Sequence, residues 1–170
     1  MLWPHTCLHA GGYAFRLCPA GSALTEECFR ARPLSFVPGK QALRLANGTE
    51  IAIEGSYTTE GTYPVNSSWA RNPLPNRVCT NSTEASSCSD PSAFPPPCQE
   101  DVGKMGNAGM FCSGGGPGQR VMVLDTLHIP ADTPPGEYVL GFRWDCEISA
   151  QVWAACADVK ISGRNDRVDS

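Results

Sequence analysis

Apolar and polar residues alternate most clearly near the two ends of this chain. Tyr13, Phe15 and Leu17 recur at every second position within 13–18, which puts three large side chains on one face of a strand that Pro19 ends. A short stretch, 24–29 (LTEECF), fits one helical turn. Weaker strands are predicted at 42–45 and 50–54, with Ile51 and Ile53 sharing a face. Asn47-Gly48 between them reads as a hairpin turn, because both residues tolerate positive φ.

Strand pattern returns at 120–124, continues through Leu127 and Ile129, and breaks at the Pro134-Pro135-Gly136 turn. Tyr138, Leu140, Phe142, Trp144 and Cys146 then alternate along one long strand, and 151–161 supplies another after a short connection. Strands without a long helical pattern predict an all-β sandwich, not a βαβ sheet. One domain over 1–162 is expected, followed by a polar tail at 163–170.

Between 61 and 119 the periodic signal is absent. The segment carries most of the prolines, PPP at 95–97, GGG at 114–116 and four cysteines, Cys79, Cys88, Cys98 and Cys112. A structureless loop of this length is unusual in a compact domain, so the cysteines are expected to pin it, in two local bridges whose pairing the sequence does not give.

Cysteine usage narrows the class of protein. There are nine, none in a C-x-x-C pair, and they fall roughly ten positions apart in Cys7, Cys18, Cys28 and in Cys79, Cys88, Cys98. That spacing is poor for structural zinc and suits disulfides in an oxidising compartment. Cys18, Cys28, Cys146 and Cys156 are disulfide candidates, and the last two are read as able to bridge neighbouring strands. Sequons at Asn47, Asn66 and Asn81 agree with secretion. An odd count leaves one cysteine without a partner in the chain: a free thiol, an intermolecular bridge, or a partner lost upstream. Residues 1–10 (MLWPHTCLHA) lack the basic and apolar regions of a leader, which favours the last of these, a chain missing its first segment.

Charge excludes more than it suggests. Thirteen Lys and Arg against 17 Asp and Glu give −4 with no basic cluster, so nucleic acid is not an expected partner. No apolar run is long enough to span a bilayer as a helix, so no membrane partner is expected either. There is no G-x-S-x-G, no spacing singles out a glycosidase carboxylate pair, and GGG lacks the Lys-Ser/Thr of a phosphate loop. His128 and His5 read as surface side chains. His9 precedes Ala10-Gly11-Gly12, small residues that leave an imidazole open to solvent. Gln151 and Trp153 share a strand face near the other end, where Trp153 also fits a core anchor.

His9-Ala10-Gly11-Gly12-Tyr13 followed by Arg16-Leu17-Cys18-Pro19 resembles the HGGGY…RLCP stretch of copper-dependent lytic polysaccharide monooxygenase-like proteins, often labelled chitin-binding type-4 domains. The resemblance runs on through LTEECF (24–29), EGTYP…SSWARNPLP (60–75), PPGEYVLGFRWDCE (134–147) and AQVWAACADVKI (150–161). It implies an immunoglobulin- or fibronectin-like β-sandwich with long disulfide-pinned loops, here incomplete at the N-terminus. It further implies one copper ion held by two histidines, of which His9 matches the internal one. Trp153 falls at the axial aromatic position, usually Tyr or Phe, and Gln151 matches an amide beside the copper that orients an oxygen species. The implied activity is oxidative cleavage of chitin or a cellulose-like polysaccharide by a secreted monomer using an external electron donor.

Two departures qualify it. No histidine stands where the family's amino-terminal ligand would be, and Trp is bulkier than the usual axial residue. The chain as written is therefore expected to be inactive and to bind copper weakly through one imidazole. The alternatives are a secreted module that binds polysaccharide or another protein without catalysis, through Tyr63, Trp69 and Phe94, and a purely structural cysteine-rich domain.

Overall fold

The computed structural model describes residues 2–4, 11–44, 48–73, 122–146 and 150–163, the first three as backbone only. In chain order their elements are β1 (Leu2–Pro4), β2 (Gly12–Pro19), α1 (Glu26–Arg30), β3 (Ser35–Phe36), β4 (Gln41–Arg44) and β5 (Glu50–Ile53). There follow β6 (Tyr57–Thr58), β7 (Trp69–Arg71), β8 (Met122–Leu124), β9 (Leu127–His128), β10 (Gly136–Asp145) and β11 (Val152–Ile161). The protein is mostly β-strand with very little helix, as the alternation predicts.

The strands form antiparallel sheets ordered β11-β10-β2-β7-β6, β1-β8-β4-β5 and β3-β9. β10 is the axis of the five-stranded sheet, pairing with β11 from Gly136↔Ile161 to Asp145↔Val152 and with β2 from Tyr138↔Pro19 to Asp145↔Gly12. Residues with the same parity therefore line up across three strands. Tyr13, Trp144 and Trp153 form one such row, and Phe15, Phe142 and Ala155 the next.

The faces differ in what covers them. The predicted apolar faces of β2 and β10 enter one core: Tyr13, Phe15, Leu17, Tyr138, Leu140, Phe142 and Trp144 pack with Leu43 and Val123 of the four-stranded sheet and with Leu34 and Phe36. A polar contact crosses the same space. The Tyr13 hydroxyl donates to Asp125 Oδ1 and Oδ2 at 3.1 and 3.0 Å, and Gln41 Nε2 donates to the Tyr13 hydroxyl and to Asp125 Oδ1, both at 2.8 Å. All three side chains are buried, where hydrogen-bonded polar groups fix a unique arrangement.

Ala14, Arg16 and Cys18 on the opposite face of β2 are buried as well, which period-2 reasoning alone does not anticipate. The cause is α1, which lies on that face. Phe29 packs with Cys18 and Val139. It sits so close to Gly141 that a Cβ there would come within 2.7 Å of the Phe29 ring. Cys18 and Cys28 are joined, with Cα atoms 5.4 Å apart.

Three expectations change in the structure, and a fourth, the 44–50 hairpin, holds. Cys146 and Cys156 do not bridge: Cys146 N–H donates to Gln151 O at 3.0 Å, whereas Cys156 lies opposite Gly141. Five residues of strand, about 17 Å, separate their positions along the hairpin, far beyond disulfide reach. The 61–119 segment is not loop throughout, because Trp69–Arg71 is a strand between β2 and β6. It is three residues long with only Ala70 facing the core, too short to show a period. The helical turn lies two residues further on than predicted, since Thr25 caps it by accepting from Cys28 N–H. Finally, the hairpin across 44–50 forms, with Arg44 opposite Glu50, though Asn47 lies outside the described residues.

Candidate functional site

A groove of about 650 Å³ opens on the outward face of the five-stranded sheet, beside α1. Its floor comes from alternate residues of four adjacent strands. Asp145 and Arg143 on β10, Gly12 on β2, Trp69 and Arg71 on β7, and Thr58 on β6 share the parity that points away from the core. Arg30 at the end of α1 and the 60–63 segment meet to form its wall. The Trp69 indole lies against Gly12 of β2: a Cβ there would meet its ring at 3.6 Å, in ordinary van der Waals contact.

The aromatic components present different surfaces. Trp69 is partly buried in the floor, whereas Tyr63 is 65 % exposed on the wall. The Arg30 guanidinium stands 4.7 Å above the Tyr63 ring centre, a cation–π pair that covers one face of the ring. Tyr57 also borders the groove, but its ring turns inward and stacks on Phe36 at 5.2 Å. Burial, and then the Asp125 carboxylate, push the Tyr57 phenol above its ordinary value.

A chain of alternating charges stiffens the α1 side. Arg16 Nη1 donates to Glu26 Oε1 and Oε2 at 2.7 and 2.8 Å, and Arg143 Nη1 donates to Glu26 Oε1 at 2.7 Å. Arg143 also grips Asp145 in a fork, Nε to Oδ1 at 2.6 Å and Nη2 to Oδ2 at 2.9 Å. Hydrogen bonding from Arg16, opposed by burial and reinforced by Arg143, holds Glu26 below its ordinary value. Asp145 first, and Glu26 second among the favourable partners, keep Arg143 more firmly protonated than an isolated arginine.

That network gives a pH prediction. Because Glu26 is depressed in the folded state, its contribution is present above the unfolded carboxylate value and is lost as pH falls through the folded one. Glu26→Gln is expected to cost about 2 kcal/mol at neutral pH, less than a fully buried pair because Glu26 is 38 % exposed. Urea unfolding of both proteins across pH 7 to 3 checks this. The gap between them should close in acid, and a gap independent of pH would refute the assignment.

The sequence-predicted residues fall into three groups. Tyr63 and Trp69 meet in the groove, as a pair of ring surfaces. Trp153 lies elsewhere: it stacks on Trp144, ring centres 6.5 Å apart, on the face turned toward the core, and is still 47 % exposed. Gln151 is exposed just before β11, at the same sheet end. His9 and Phe94 lie outside the described residues, as do Cys7, Cys79, Cys88, Cys98, Cys112 and the tail from 164. Cys18 and Cys28 form the one bridge among the described residues, and Cys156 carries an exposed thiol.

Among the described residues no group of three or more His, Cys, Asp or Glu side chains is placed to hold a metal ion. The resemblance places Gln151 and Trp153 beside copper, not on it, and its expected ligand, His9, lies outside the described residues, so no chemical step at copper is derived. Likewise no described helix is long and apolar enough to cross a membrane. Arg30, Arg71, Arg143 and Asp145 escaped the sequence reading. Arg143 and Asp145 had a signal, as the polar parity of the strand whose apolar parity is Tyr138 to Trp144. Arg30 and Arg71 had none, because α1 and β7 are placed by tertiary contacts. Comparison with protein-family models, with curated proteins and with solved structures finds no match for this chain.

Proposed function

We propose that this chain is a secreted carbohydrate-binding domain whose ligand lies in the groove on the outward face of the five-stranded sheet, beside α1 and the 60–63 segment. The observation that carries the reading is one groove lined by both Trp69 and the exposed Tyr63 ring, set among arginine and carboxylate groups. Sugar rings present apolar C–H faces and hydroxyl rims. An aromatic surface takes the first, and charged side chains of both signs hydrogen-bond the second. The Cys18–Cys28 bridge supports an oxidising compartment. A core drawn from both larger sheets supports reading them as the layers of an immunoglobulin- or fibronectin-like sandwich.

A second reading is oxidative cleavage of polysaccharide at copper, in the complete protein, with an external electron donor. One observation favours it. Gly12, Asp145 and Val152 stand side by side, so the chain leaving His9 enters the sheet at the end where Gln151 and Trp153 lie. Two strand spacings, roughly 10 Å, separate the Gly12 and Val152 backbones.

One experiment separates the readings. The protein is incubated with insoluble chitin and with cellulose, with and without copper and ascorbate, and both the bound fraction and the soluble products are measured. Retention without oxidised oligosaccharides is expected, and Trp69→Ala should weaken it by about tenfold, some 1.4 kcal/mol. Oxidised products would establish the second reading, and absence of retention on every polymer would sink the first.

A further inference from the structure

We propose that Asn66 is an N-glycan acceptor, presented at the tip of a turn beside the groove. Asn66-Ser67-Ser68 is an acceptor sequence with no proline at its centre. Of the three such sequences in the chain, it is the one whose asparagine falls among the described residues.

The local backbone presents the amide. Ser67 N–H donates to Pro64 O at 2.9 Å, which closes a β-turn over 64–67 and puts Asn66 at its third position. Its φ is +66°, the left-handed conformation that a type II turn demands there and that asparagine tolerates better than other side chains bearing a Cβ. Asn66 is exposed, and Ser68, whose hydroxyl completes the acceptor sequence, is partly exposed.

The surroundings favour a sugar as well. Val65 is 78 % exposed and Tyr63 is 65 % exposed, so the tip carries two large apolar side chains in water. A glycan rooted at Asn66 covers Val65, its neighbour in the chain, and leaves Tyr63 to the groove. Asn66 does not line the groove, so the glycan stands at the rim without filling it.

The chemistry is a group transfer. The Asn66 side-chain nitrogen bonds to the anomeric carbon of a lipid-linked oligosaccharide diphosphate. The bond from that carbon to the diphosphate oxygen breaks, the lipid diphosphate leaves with the electron pair, and the nitrogen loses one proton. The proposal needs passage through a secretory pathway and is independent of what the groove binds.

The test uses the full chain, directed by an added leader into the secretory pathway of a eukaryotic host. Asn47→Gln and Asn81→Gln are installed so that Asn66 is the remaining acceptor. Intact mass before and after N-glycosidase is expected to differ by one glycan. Ser68→Ala and Asn66→Gly should abolish the difference, the latter while keeping a residue at ease with positive φ, and Ser68→Thr should retain it. Transfer accompanies translocation, so a variant that folds poorly still reports. An unglycosylated chain in this background would overturn the proposal.

Discussion

Phe15→Ala is expected to lower the free energy of unfolding by about 4 kcal/mol, a large share of the 5–15 kcal/mol typical of a domain. Phe15 is fully buried. Its ring meets Tyr13 and Phe36 edge-on, at 5.9 Å in each case, and Phe142 at 5.3 Å. Those partners come from β2, β3 and β10, so truncation opens a void where three elements converge, and rings fixed on separate strands cannot all collapse into it. Phe15→Leu keeps most of the volume and should cost only about 1 kcal/mol. Urea denaturation reads both. With a slope of about 2 kcal/mol per molar, the alanine variant should lose about 2 M of midpoint and the leucine variant about 0.5 M. Equal small losses would mean that the aromatic cluster is not the cohesive centre of this fold.

The contrast between what could and could not be read from the sequence follows from the same packing. Tyr13, Phe15, Leu17 and the Tyr138-to-Trp144 series announce themselves because each belongs to a strand of eight to ten residues. At that length a period of two is visible without knowing the partner. Trp69–Arg71 and Tyr57–Thr58 are strands of three and two residues. Their pairing, β7 with β2 and β6 with β7, exists only because the rest of the sheet is there, so the sequence shows them as loop. The groove inherits this asymmetry. Trp69 and Tyr63 could be nominated as exposed rings, but that both line one groove depends on β7 lying beside β2. Cysteines are legible as a class and not as pairs: Cys18–Cys28 forms across a strand and a helix, while the strand neighbours Cys146 and Cys156 are separated by register. The resemblance nominated His9, Gln151 and Trp153. Of these only the last two can be located, at one end of the sheet and away from the groove's aromatic pair.

Removing the Cys18–Cys28 bridge, as Cys18→Ala with Cys28→Ala, is expected to cost about 3 kcal/mol for a loop with a sequence separation of 10. Its local consequence should exceed its global one. α1 has five residues, well under the twelve or so at which an isolated helix becomes even marginal in water, so its existence depends on what clamps it. Three clamps act: the disulfide, Phe29 seated on Gly141, and Glu26 held by Arg16 and Arg143. The helix in turn carries Arg30, which stands over Tyr63 at the groove wall. Loss of the bridge should therefore loosen the wall before it unfolds the sheet. Hydrogen exchange distinguishes the two: the Phe29 and Ala31 amides, bonded to Thr25 O and Glu27 O, should exchange much faster in the variant while those of β2 and β10 change only by the global loss. Gly141→Val attacks the second clamp from the sheet side and should produce the same local signature, since a Cβ there already falls within 2.7 Å of the Phe29 ring. If exchange at α1 follows the sheet in both variants, helix and sheet are one cooperative unit, and the groove wall has no looseness of its own to regulate what it binds.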